Sequence, residues 1–348
     1  MNISEFDYNL PEELIAQMPA DKRENSKMLV LDKNEQTIEH KHFFDITDYI
    51  DENSILVLNN TKVLPARLYG IKTETGAKIE ILLLEEKQKN QWSCLIKPSK
   101  RVKENTLIDI SNELKIKTIK KLEDDGEWLI ELIHEGDLFD ILHKVGNIPL
   151  PPYIERKLQN EELKQFDKAR YQTVYAKDEG SVAAPTAGLH FTNEILEKLK
   201  QKGVEIIYVT LNVGIGTFRP VKCENILDHK MHSETFEITQ EAADKINLAK
   251  RNGKKLVAVG TTTVRTLETA YQKYGCIKAC HDHSELFIYP PYEFKVVDRL
   301  ITNFHLPKST LLMLVSALAG KDFIFKAYDE AIKNKYRFFS YGDCMFIK

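Results

Sequence analysis

The segment Leu256-Val257-Ala258-Val259-Gly260-Thr261-Thr262-Thr263 is the clearest guide to the architecture of this chain. Four successive apolar residues, followed at once by glycine and three threonines, predict a buried strand that runs into a helix ending near Tyr274. Similar segments are predicted elsewhere, with helices over 193–201 and 242–251 and strands over 54–58 and 204–211. This alternation of strands and helices indicates an α/β domain.

Between residues 66 and 134 the pattern changes to short segments typical of β-strands. Lys78-Ile79-Glu80-Ile81 and Leu114-Lys115-Ile116-Lys117 alternate apolar and polar residues, and Trp128, Ile130 and Leu132 share one side of a third segment. Turn residues separate these segments, which favours a small antiparallel barrel or sandwich.

A short helix over 138–145 is predicted to close this region, with Asp137 as its N-cap and Gly146 as its C′ residue. Prolines at 149, 151 and 152 then predict a stiff, extended connector. We therefore predict an inserted β domain over 66–147 and a large α/β domain that combines 1–65 with 148–348.

Composition argues against several classes of protein. The 348 residues carry a formal net charge of −3, unlike a protein that coats nucleic acid through bulk positive charge. The longest apolar run, Leu311 to Ala319, is interrupted by Ser316 and is far shorter than the roughly 20 residues of a membrane span. The first residues lack the basic and apolar regions of a signal peptide. Because the five cysteines are scattered, we expect a reducing, cytoplasmic environment.

The segment 180–192, GSVAAPTAGLHFT, contains no charged residue in a chain that is 29% charged. Glycine and proline oppose a helix, whereas small side chains allow a ligand to approach the backbone closely. His190 is the one titratable group in the segment. Two interpretations stay open at this point: a ligand-binding loop, or a buried, tightly packed crossover loop whose histidine is only hydrogen-bonded.

The junction Gly260-Thr261-Thr262-Thr263 is a second candidate site. Free N–H groups and the helix dipole at such a junction attract an anion such as a carboxylate, although capping by threonine explains the residues equally well. Gly214 and Gly216 look like the start of a dinucleotide-binding fingerprint. Because Arg219 occupies the place of the third glycine, we reject that interpretation.

Histidines occur in two further polar segments of the large domain. Residues 228–234 include His229, His232 and Glu234, and residues 298–307 include Asp298 and His305. Together with the loop around His190, these segments favour a shared cleft.

A zinc site is a poor fit to the cysteine and histidine cluster at 276–283. The spacing of Cys276, Cys280, His281 and His283 does not suit a structural finger, and no second ligand pair lies nearby in the sequence. We predict an exposed loop here and no metal.

The run 97–103, KPSKRVK, carries four positive charges in seven residues. It is either a local patch for RNA phosphates or a solvated hairpin tip.

Seven segments, taken in order, resemble one family. They cover 58–67, 146–154, 171–176, 180–192, 260–262, 300–314 and 336–343, and they include the motif Thr302-Asn303-Phe304-His305-Leu306-Pro307. The chain is similar, nearly from end to end, to the S-adenosylmethionine:tRNA ribosyltransferase-isomerases of queuosine biosynthesis.

The resemblance implies a fold of the α/β (α+β) class, with a large barrel-like α/β domain and an inserted small antiparallel Greek-key β-barrel. It also implies that the ribosyl part of S-adenosylmethionine, a co-substrate, is attached to 7-aminomethyl-7-deazaguanine at the wobble position of a tRNA with a GUN anticodon. Isomerisation gives epoxyqueuosine, while adenine and methionine leave. We expect a monomer with no permanently bound cofactor.

The chemistry requires a base beside the sulfonium and a donor that assists the departure of adenine. His190 and His305 are candidates for proton transfer, and Asp298 and Glu234 for balancing the sulfonium or accepting a proton. Candidate residues for binding S-adenosylmethionine are Ala184, Pro185, Thr186, Gly188, Gly260, Thr261 and Thr262. Candidate RNA contacts are Arg67, Lys97, Lys100, Arg101 and Arg170.

Three positions depart from the family pattern: Lys62, Asn212 and Pro291 stand where Arg, His and Gly are usual. Asn212 removes a titratable group, which argues against a catalytic role at that position. Two alternative functions stay open, an S-adenosylmethionine-dependent RNA methyltransferase and a non-catalytic RNA-binding module. The second finds little support, because the barrel strands offer few exposed aromatic residues beyond Trp92 and Trp128.

Overall fold

The computed structural model describes residues 1–122, 126–156, 160–214, 216 and 223–348. The strands in this part of the chain are β1 Lys27–Asp32, β2 Thr37–His42, β3 Ser54–Asn59, β4 Thr61–Val63, β5 Arg67–Lys72, β6 Lys78–Gln88, β7 Gln91–Lys97, β8 Leu107–Asp109, β9 Leu114–Lys121, β10 Glu127–His134, β11 Asp178–Ser181, β12 Glu205–Leu211, β13 Glu234–Ile238, β14 Lys255–Val259, β15 Cys280–Ser284, β16 Arg299–Asn303 and β17 Cys344–Ile347. The α-helices are α1 Leu138–Val145, α2 Glu161–Arg170, α3 Asn193–Gln201, α4 Gln240–Arg251, α5 Thr261–Tyr274, α6 Thr310–Ala319 and α7 Lys321–Lys333. In this described part, no helix has both the length and the apolar character that crossing a membrane requires.

A mixed sheet of nine strands organises the large domain, in the order β15-β13-β12-β3-β14-β16-β17-β1-β2. The four strands β12, β3, β14 and β16 run parallel to one another. Both faces of β3 are covered: Ile55 and Val57 belong to the core shared with α4 to α7, whereas Leu56 and Leu58 pack with α3. This two-sided burial explains why its sequence is apolar throughout instead of alternating.

The carboxyl ends of these parallel strands meet at one edge of the sheet. β3 ends at Asn59, β14 at Val259 and β16 at Asn303, and the segments that follow them are brought together there. Strand β4 continues from β3 and pairs in parallel with β11, which carries the start of the loop 182–192 to the same edge. In open α/β sheets, ligands bind at this edge.

The inserted domain is a closed barrel of six antiparallel strands, β5 to β10. Strands β5, β6 and β7 are consecutive neighbours, and β8 returns to pair with β5, which is the Greek-key arrangement. The fold class predicted from the sequence is therefore confirmed. The boundaries assigned to the two domains, 66–147 against 1–65 with 148–348, stay a prediction.

The barrel interior corrects one expectation. Trp128, Ile130 and Leu132 share the buried side of β10, as predicted, but Trp92 and Trp128 are only 4% and 6% exposed. Both indoles belong to the barrel core, because alternate residues of a closed barrel must fill its interior. They are therefore not available for stacking with bases on the surface.

Helix α1 has the predicted N-cap, since the Asp137 carboxylate accepts a hydrogen bond from the Asp140 N–H at 3.0 Å. Gly146 follows the helix, but it has an extended backbone with φ −84° and not the left-handed conformation of a C′ glycine. A Cβ atom at this position would lie 1.9 Å from the Pro65 carbonyl oxygen. Close packing of two backbones, and not the turn itself, therefore requires glycine here.

Candidate active site

A cleft at the carboxyl edge of the sheet brings together four segments that are far apart in sequence. Its walls are formed by 184–187 of the small-residue loop, 260–262 at the start of α5, 302–306 after β16, and 339–340. Tyr153 of the connector, Val213, Ser309 and Leu311 complete the described lining. None of these side chains carries a formal charge at neutral pH, because burial lowers the pKa of His305 and keeps its imidazole neutral. The cleft can therefore hold a ligand through hydrogen bonds, apolar contact and helix dipoles.

Different residues of the loop 180–192 fit the two interpretations left open by its sequence. Ala184, Pro185 and Thr186 line the cleft, as a ligand-binding loop requires. Gly188 does not belong to that lining: a Cβ atom there would lie 2.1 Å from the Tyr175 hydroxyl oxygen. We therefore remove Gly188 from the candidate ligand contacts, since packing against Tyr175 accounts for the glycine.

Helix α5 begins at the cleft. Its N-cap, Gly260, has φ +86°, a conformation that favours glycine, and no side chain caps the helix. Thr261 and Thr262 lie in the cleft wall, and the first N–H groups of a helix have no partner within it. The hydroxyl group of Thr263 donates to the Val259 carbonyl at 2.7 Å and so bonds within the helix. The start of α5 thus offers backbone donors and the positive end of a dipole to a bound anion.

His305 lies in the cleft wall. Its Nε2 atom is 3.0 Å from Thr302 Oγ1, and its backbone N–H donates to the Tyr328 hydroxyl at 2.9 Å. Burial lowers the pKa of His305 to about 3. The imidazole is therefore neutral at physiological pH, so one ring nitrogen carries a hydrogen and the other a lone pair.

His190 lies behind the cleft lining. Its Nδ1 atom is 2.7 Å from Ser26 Oγ, and its Nε2 atom is 3.3 Å from Asn303 Nδ2. Burial lowers the pKa of His190 to about 4. The interpretation of a packed loop with a hydrogen-bonded histidine therefore applies to His190. Its connection to the cleft is indirect, because it contacts the lining residue Asn303.

Several lining residues were not singled out from the sequence, and three polar examples are Asn303, Tyr153 and Ser340. The Tyr153 hydroxyl and Ser340 Oγ are 2.6 Å apart, which connects the proline-rich connector to the segment before β17. All three lie in segments that carry the family resemblance. The family resemblance could have identified them, because a single Asn, Tyr or Ser forms no sequence pattern that predicts a site.

Asp298 does not reach the cleft lining. It precedes β16, whereas the cleft is at the carboxyl end of that strand. Its carboxylate accepts from Lys250 Nζ at 2.9 Å and from the Leu256 N–H at 2.8 Å. We therefore withdraw Asp298 as a partner for a sulfonium, since its position explains it as a clamp between β14, β16 and α4.

Glu234 is buried beside the first turns of α5. Its carboxylate pairs with the Arg265 guanidinium and accepts from the Gly214 N–H at 2.9 Å. Arg265 also donates to the Ser284 carbonyl at 3.2 Å. Glu234 is not in the described cleft lining, and its carboxylate is engaged by Arg265 and the Gly214 N–H, so we no longer assign it a role in proton transfer.

Comparison with known proteins identifies the group to which this chain is similar. The model of the queuosine biosynthesis protein family matches residues 3–347. The chain belongs to this family. A curated relative named S-adenosylmethionine:tRNA ribosyltransferase-isomerase, from Clostridioides difficile (strain 630), is 54% identical over the full length of both chains. A crystal structure of S-adenosylmethionine tRNA ribosyltransferase from Thermotoga maritima is 41% identical, covers 99% of this chain and 100% of its own, and has a TM-score of 0.56.

The resemblance inferred from the sequence is thereby confirmed. Family membership favours a tRNA ribosyltransferase-isomerase over the methyltransferase and over the non-catalytic module.

Two of the positions that depart from the family pattern lie next to the small-residue loop. Lys62 Nζ is 2.6 Å from Glu179 Oε1, so its charge is used in a pair at the β4–β11 junction. Asn212 Oδ1 accepts from the Thr61 hydroxyl at 2.8 Å, and its side chain packs against Gly180. Pro291 is exposed. In this member of the family, Asn212 helps to position the start of the loop.

The candidate RNA contacts fall into two groups. Lys97, Lys100 and Arg101 are exposed, the last two on a single 3₁₀ turn after β7. Arg67 pairs with Glu80 at 2.8 Å, and Arg170 donates to the carbonyl groups of Ala20 and Asp21. The first group is free to meet phosphates, whereas the guanidinium groups of Arg67 and Arg170 are engaged within the protein.

A groove of about 870 Å³ separates the barrel from the connector and α2. It adjoins the cleft, because Tyr153 lines the cleft while Pro152 and Ile154 line the groove. Lys97 and Arg67 lie in its barrel wall and Lys164 in its opposite wall.

No metal centre emerges from the described residues, in which no three His, Cys, Asp or Glu side chains are grouped to hold an ion. Cys280, His281 and His283 lie on β15, which pairs with β13, and Cys276 is exposed before that strand. Between the two histidines, Asp282 binds Lys273 at 2.7 Å. The cluster is part of a strand at the edge of the sheet.

Proposed function

We propose that this chain transfers the ribosyl part of S-adenosylmethionine to 7-aminomethyl-7-deazaguanine at the wobble position of tRNA and isomerises it to epoxyqueuosine. Adenine and methionine leave. One observation carries the proposal for the site: five of the seven segments that resemble the family contribute residues to one uncharged cleft at the carboxyl edge of the sheet.

S-Adenosylmethionine fits the chemistry of this cleft. The methionine carboxylate would bind the start of α5 at Gly260–Thr262, where backbone N–H groups and the helix dipole favour an anion. The small side chains at 184–187 would let the ribose approach the loop backbone closely. The hydroxyl groups of Thr261, Thr302 and Ser340 offer hydrogen bonds to its polar atoms.

His305 is the proposed base. The positive sulfur acidifies the adjacent ribose carbon, and the His305 imidazole lies in the cleft wall, where it would receive that proton. In the tautomer that acts as a base through Nδ1, the Nε2–H group donates to Thr302 Oγ1, which is 3.0 Å away. Thr302 would then hold the ring in the reactive tautomer.

The tRNA would bind along the groove beside the cleft. The wobble base is unpaired in the anticodon loop, so it can leave the stack and enter a pocket at low energetic cost. Lys97, Lys100 and Arg101 would contact phosphates from the barrel side. We propose a GUN anticodon as the substrate, and a monomeric, cytoplasmic enzyme.

The deciding experiment incubates the purified chain with S-adenosylmethionine and tRNA that carries 7-aminomethyl-7-deazaguanine. Mass spectrometry follows the tRNA and the released small molecules. Epoxyqueuosine with free adenine and methionine is the expected result. S-Adenosylhomocysteine with a methylated tRNA would instead establish a methyltransferase, and tight tRNA binding without turnover would establish a binding module.

The role of His305 is tested by His305→Ala, with His281→Ala as a matched control on the exposed surface of β15. We expect kcat to fall by about 10²-fold or more for His305→Ala and to stay near wild type for the control. Circular dichroism and thermal unfolding check that both variants are folded. Turnover near the wild-type rate in His305→Ala would exclude His305 as the base.

A further inference from the structure

The two ends of the Asn303 amide have different surroundings. Its Nδ2 group faces His190 Nε2 at 3.3 Å, the Phe339 carbonyl at 3.1 Å and the Asp343 carbonyl at 3.5 Å. Its Oδ1 atom is buried and has no hydrogen-bond partner among the described residues. The whole residue is 3% exposed and lines the cleft.

A short chain of hydrogen bonds fixes the orientation of this amide. The Phe339 and Asp343 carbonyls require Asn303 Nδ2–H on their side, which leaves the hydrogen of His190 on Nδ1. Ser26 Oγ accepts from this Nδ1–H at 2.7 Å, while its hydroxyl donates to the Arg23 carbonyl at 3.2 Å. The neutral His190 ring then has a lone pair on Nε2, which accepts from Asn303 Nδ2–H. A flipped amide would place Oδ1 against the carbonyl oxygens of Phe339 and Asp343, which is unfavourable.

Asn59 provides a contrast at the same edge of the sheet. Its Oδ1 atom accepts from the N–H groups of Thr61 and Leu211, each at 3.1 Å, and its Nδ2 group donates to the Leu211 carbonyl at 3.0 Å. Buried amides are normally satisfied in this way, because an unpaired buried acceptor costs stability. The unpaired Oδ1 atom of Asn303 therefore indicates that a ligand supplies its hydrogen-bond donor.

We propose that Asn303 Oδ1 accepts a hydrogen bond from an uncharged N–H group of a substrate in the cleft, and that His190 and Ser26 are positioning residues that keep this oxygen available. The inference rests on the proposed function. The described cleft lining contains no carboxylate, and the amide oxygen is itself an uncharged acceptor that suits a neutral N–H donor. Two substrates supply such a donor: the adenine 6-amino group of S-adenosylmethionine and the primary amine of the modified base.

Paired ligands distinguish the two sources. In the first arm, calorimetry without tRNA compares S-adenosylmethionine with its hypoxanthine analogue, in which a carbonyl replaces the 6-amino group. In the second arm, filter binding compares tRNA carrying 7-aminomethyl-7-deazaguanine with tRNA carrying the 7-cyano base. Both arms are run on the wild type, on Asn303→Leu and on Asn247→Leu, a control on α4 remote from the cleft.

We expect the wild type to prefer the amine by about 10-fold or more in one arm. Asn303→Leu should reduce that preference to below about 3-fold, and Asn247→Leu should retain it. The arm that changes identifies the donor. Preferences that Asn303→Leu leaves unchanged in both arms, or a wild type without preference in either arm, would overturn the proposal.

A second pair of measurements does not depend on the stability of Asn303→Leu. Nitrogen-15 NMR of histidine in the wild type should show His190 protonated on Nδ1 and unprotonated on Nε2, and the opposite tautomer would refute the hydrogen-bond chain. Ser26→Ala frees the ring to adopt either tautomer, so it should weaken the same ligand preference by a smaller factor. An unchanged preference in folded Ser26→Ala would exclude its positioning role.

These binding measurements need no turnover. Failure of the proposed function would appear separately, as the absence of free adenine and methionine from the wild-type reaction.

Discussion

A substitution at Gly188 can show whether the loop requires glycine at this position for packing or for ligand binding. A Cβ atom at this position would lie 2.1 Å from the Tyr175 hydroxyl oxygen, 2.8 Å from Thr173 Cγ2 and 3.1 Å from Tyr175 Cζ. The hydroxyl group is buried and has no hydrogen-bond partner among the described residues. Gly188→Ala should therefore destabilise the fold by about 2 kcal/mol, within the range for overpacked cores.

Tyr175→Phe removes the atom that makes the closest contact. Because the hydroxyl group is unsatisfied, this change alone should alter the free energy of unfolding by less than about 0.5 kcal/mol. Combined with Gly188→Ala, it should restore about half of the lost stability, since the contacts with Thr173 Cγ2 and the ring carbon remain. Urea denaturation of the four proteins gives the coupling energy of this double-mutant cycle.

Binding of S-adenosylmethionine by the same four proteins completes the test. If packing accounts for Gly188, affinity under native conditions should stay within a few-fold of wild type. A Gly188→Ala variant as stable as the wild type but with strongly reduced affinity would refute the packing argument and restore Gly188 to the ligand site.

Two further predictions concern RNA binding and pH. Reversing the exposed charges in Lys100→Glu with Arg101→Glu should reduce the slope of log affinity for tRNA against log salt by up to about 2. The control pair Lys326→Glu with Lys333→Glu on α7 should not, and equal slopes in both pairs would place the RNA elsewhere. For His190, the folded pKa of about 4 lies below the unfolded value of 6.5, so the unfolded state binds the proton first as pH falls through this window. His190→Gln should therefore lose about 2 kcal/mol less stability than wild type between pH 7 and pH 5, and equal losses in urea titrations would contradict burial of a neutral ring.

Local patterns predicted much of the fold. Alternation in β6, β9 and β10 follows from one buried and one exposed side, and the apolar run in β14 follows from burial on both. Capping also acted locally: Thr192 Oγ1 accepts from the Ile195 N–H at 3.3 Å, at the helix start predicted from the sequence. The closure of the barrel was harder to foresee, because a barrel and a sandwich share the same alternation.

Part of the candidate site lines the cleft, whereas several of the candidates lie outside its described lining. Asp298, Glu234 and Gly188 look functional by residue type, yet Lys250, Arg265 and Tyr175 account for them respectively. A contact with a residue far away in the sequence cannot be recognised from the residues next to the position that makes it. Trp92 and Trp128 were misjudged for the same reason, since the closed barrel encloses them.

Local sequence patterns predicted the order of helices and strands, the small-residue loop and the family motifs. These features depend on residues that are neighbours in the chain. Convergence of those motifs depended on the parallel strands β3, β14 and β16, whose common direction gathers their carboxyl ends at one edge. The same geometry, and no local signal, set Asn303 against His190 and left one amide oxygen unpaired. Whether a buried polar atom has a hydrogen-bond partner depends on residues that only the folded sheet brings together. The tertiary structure therefore decided it.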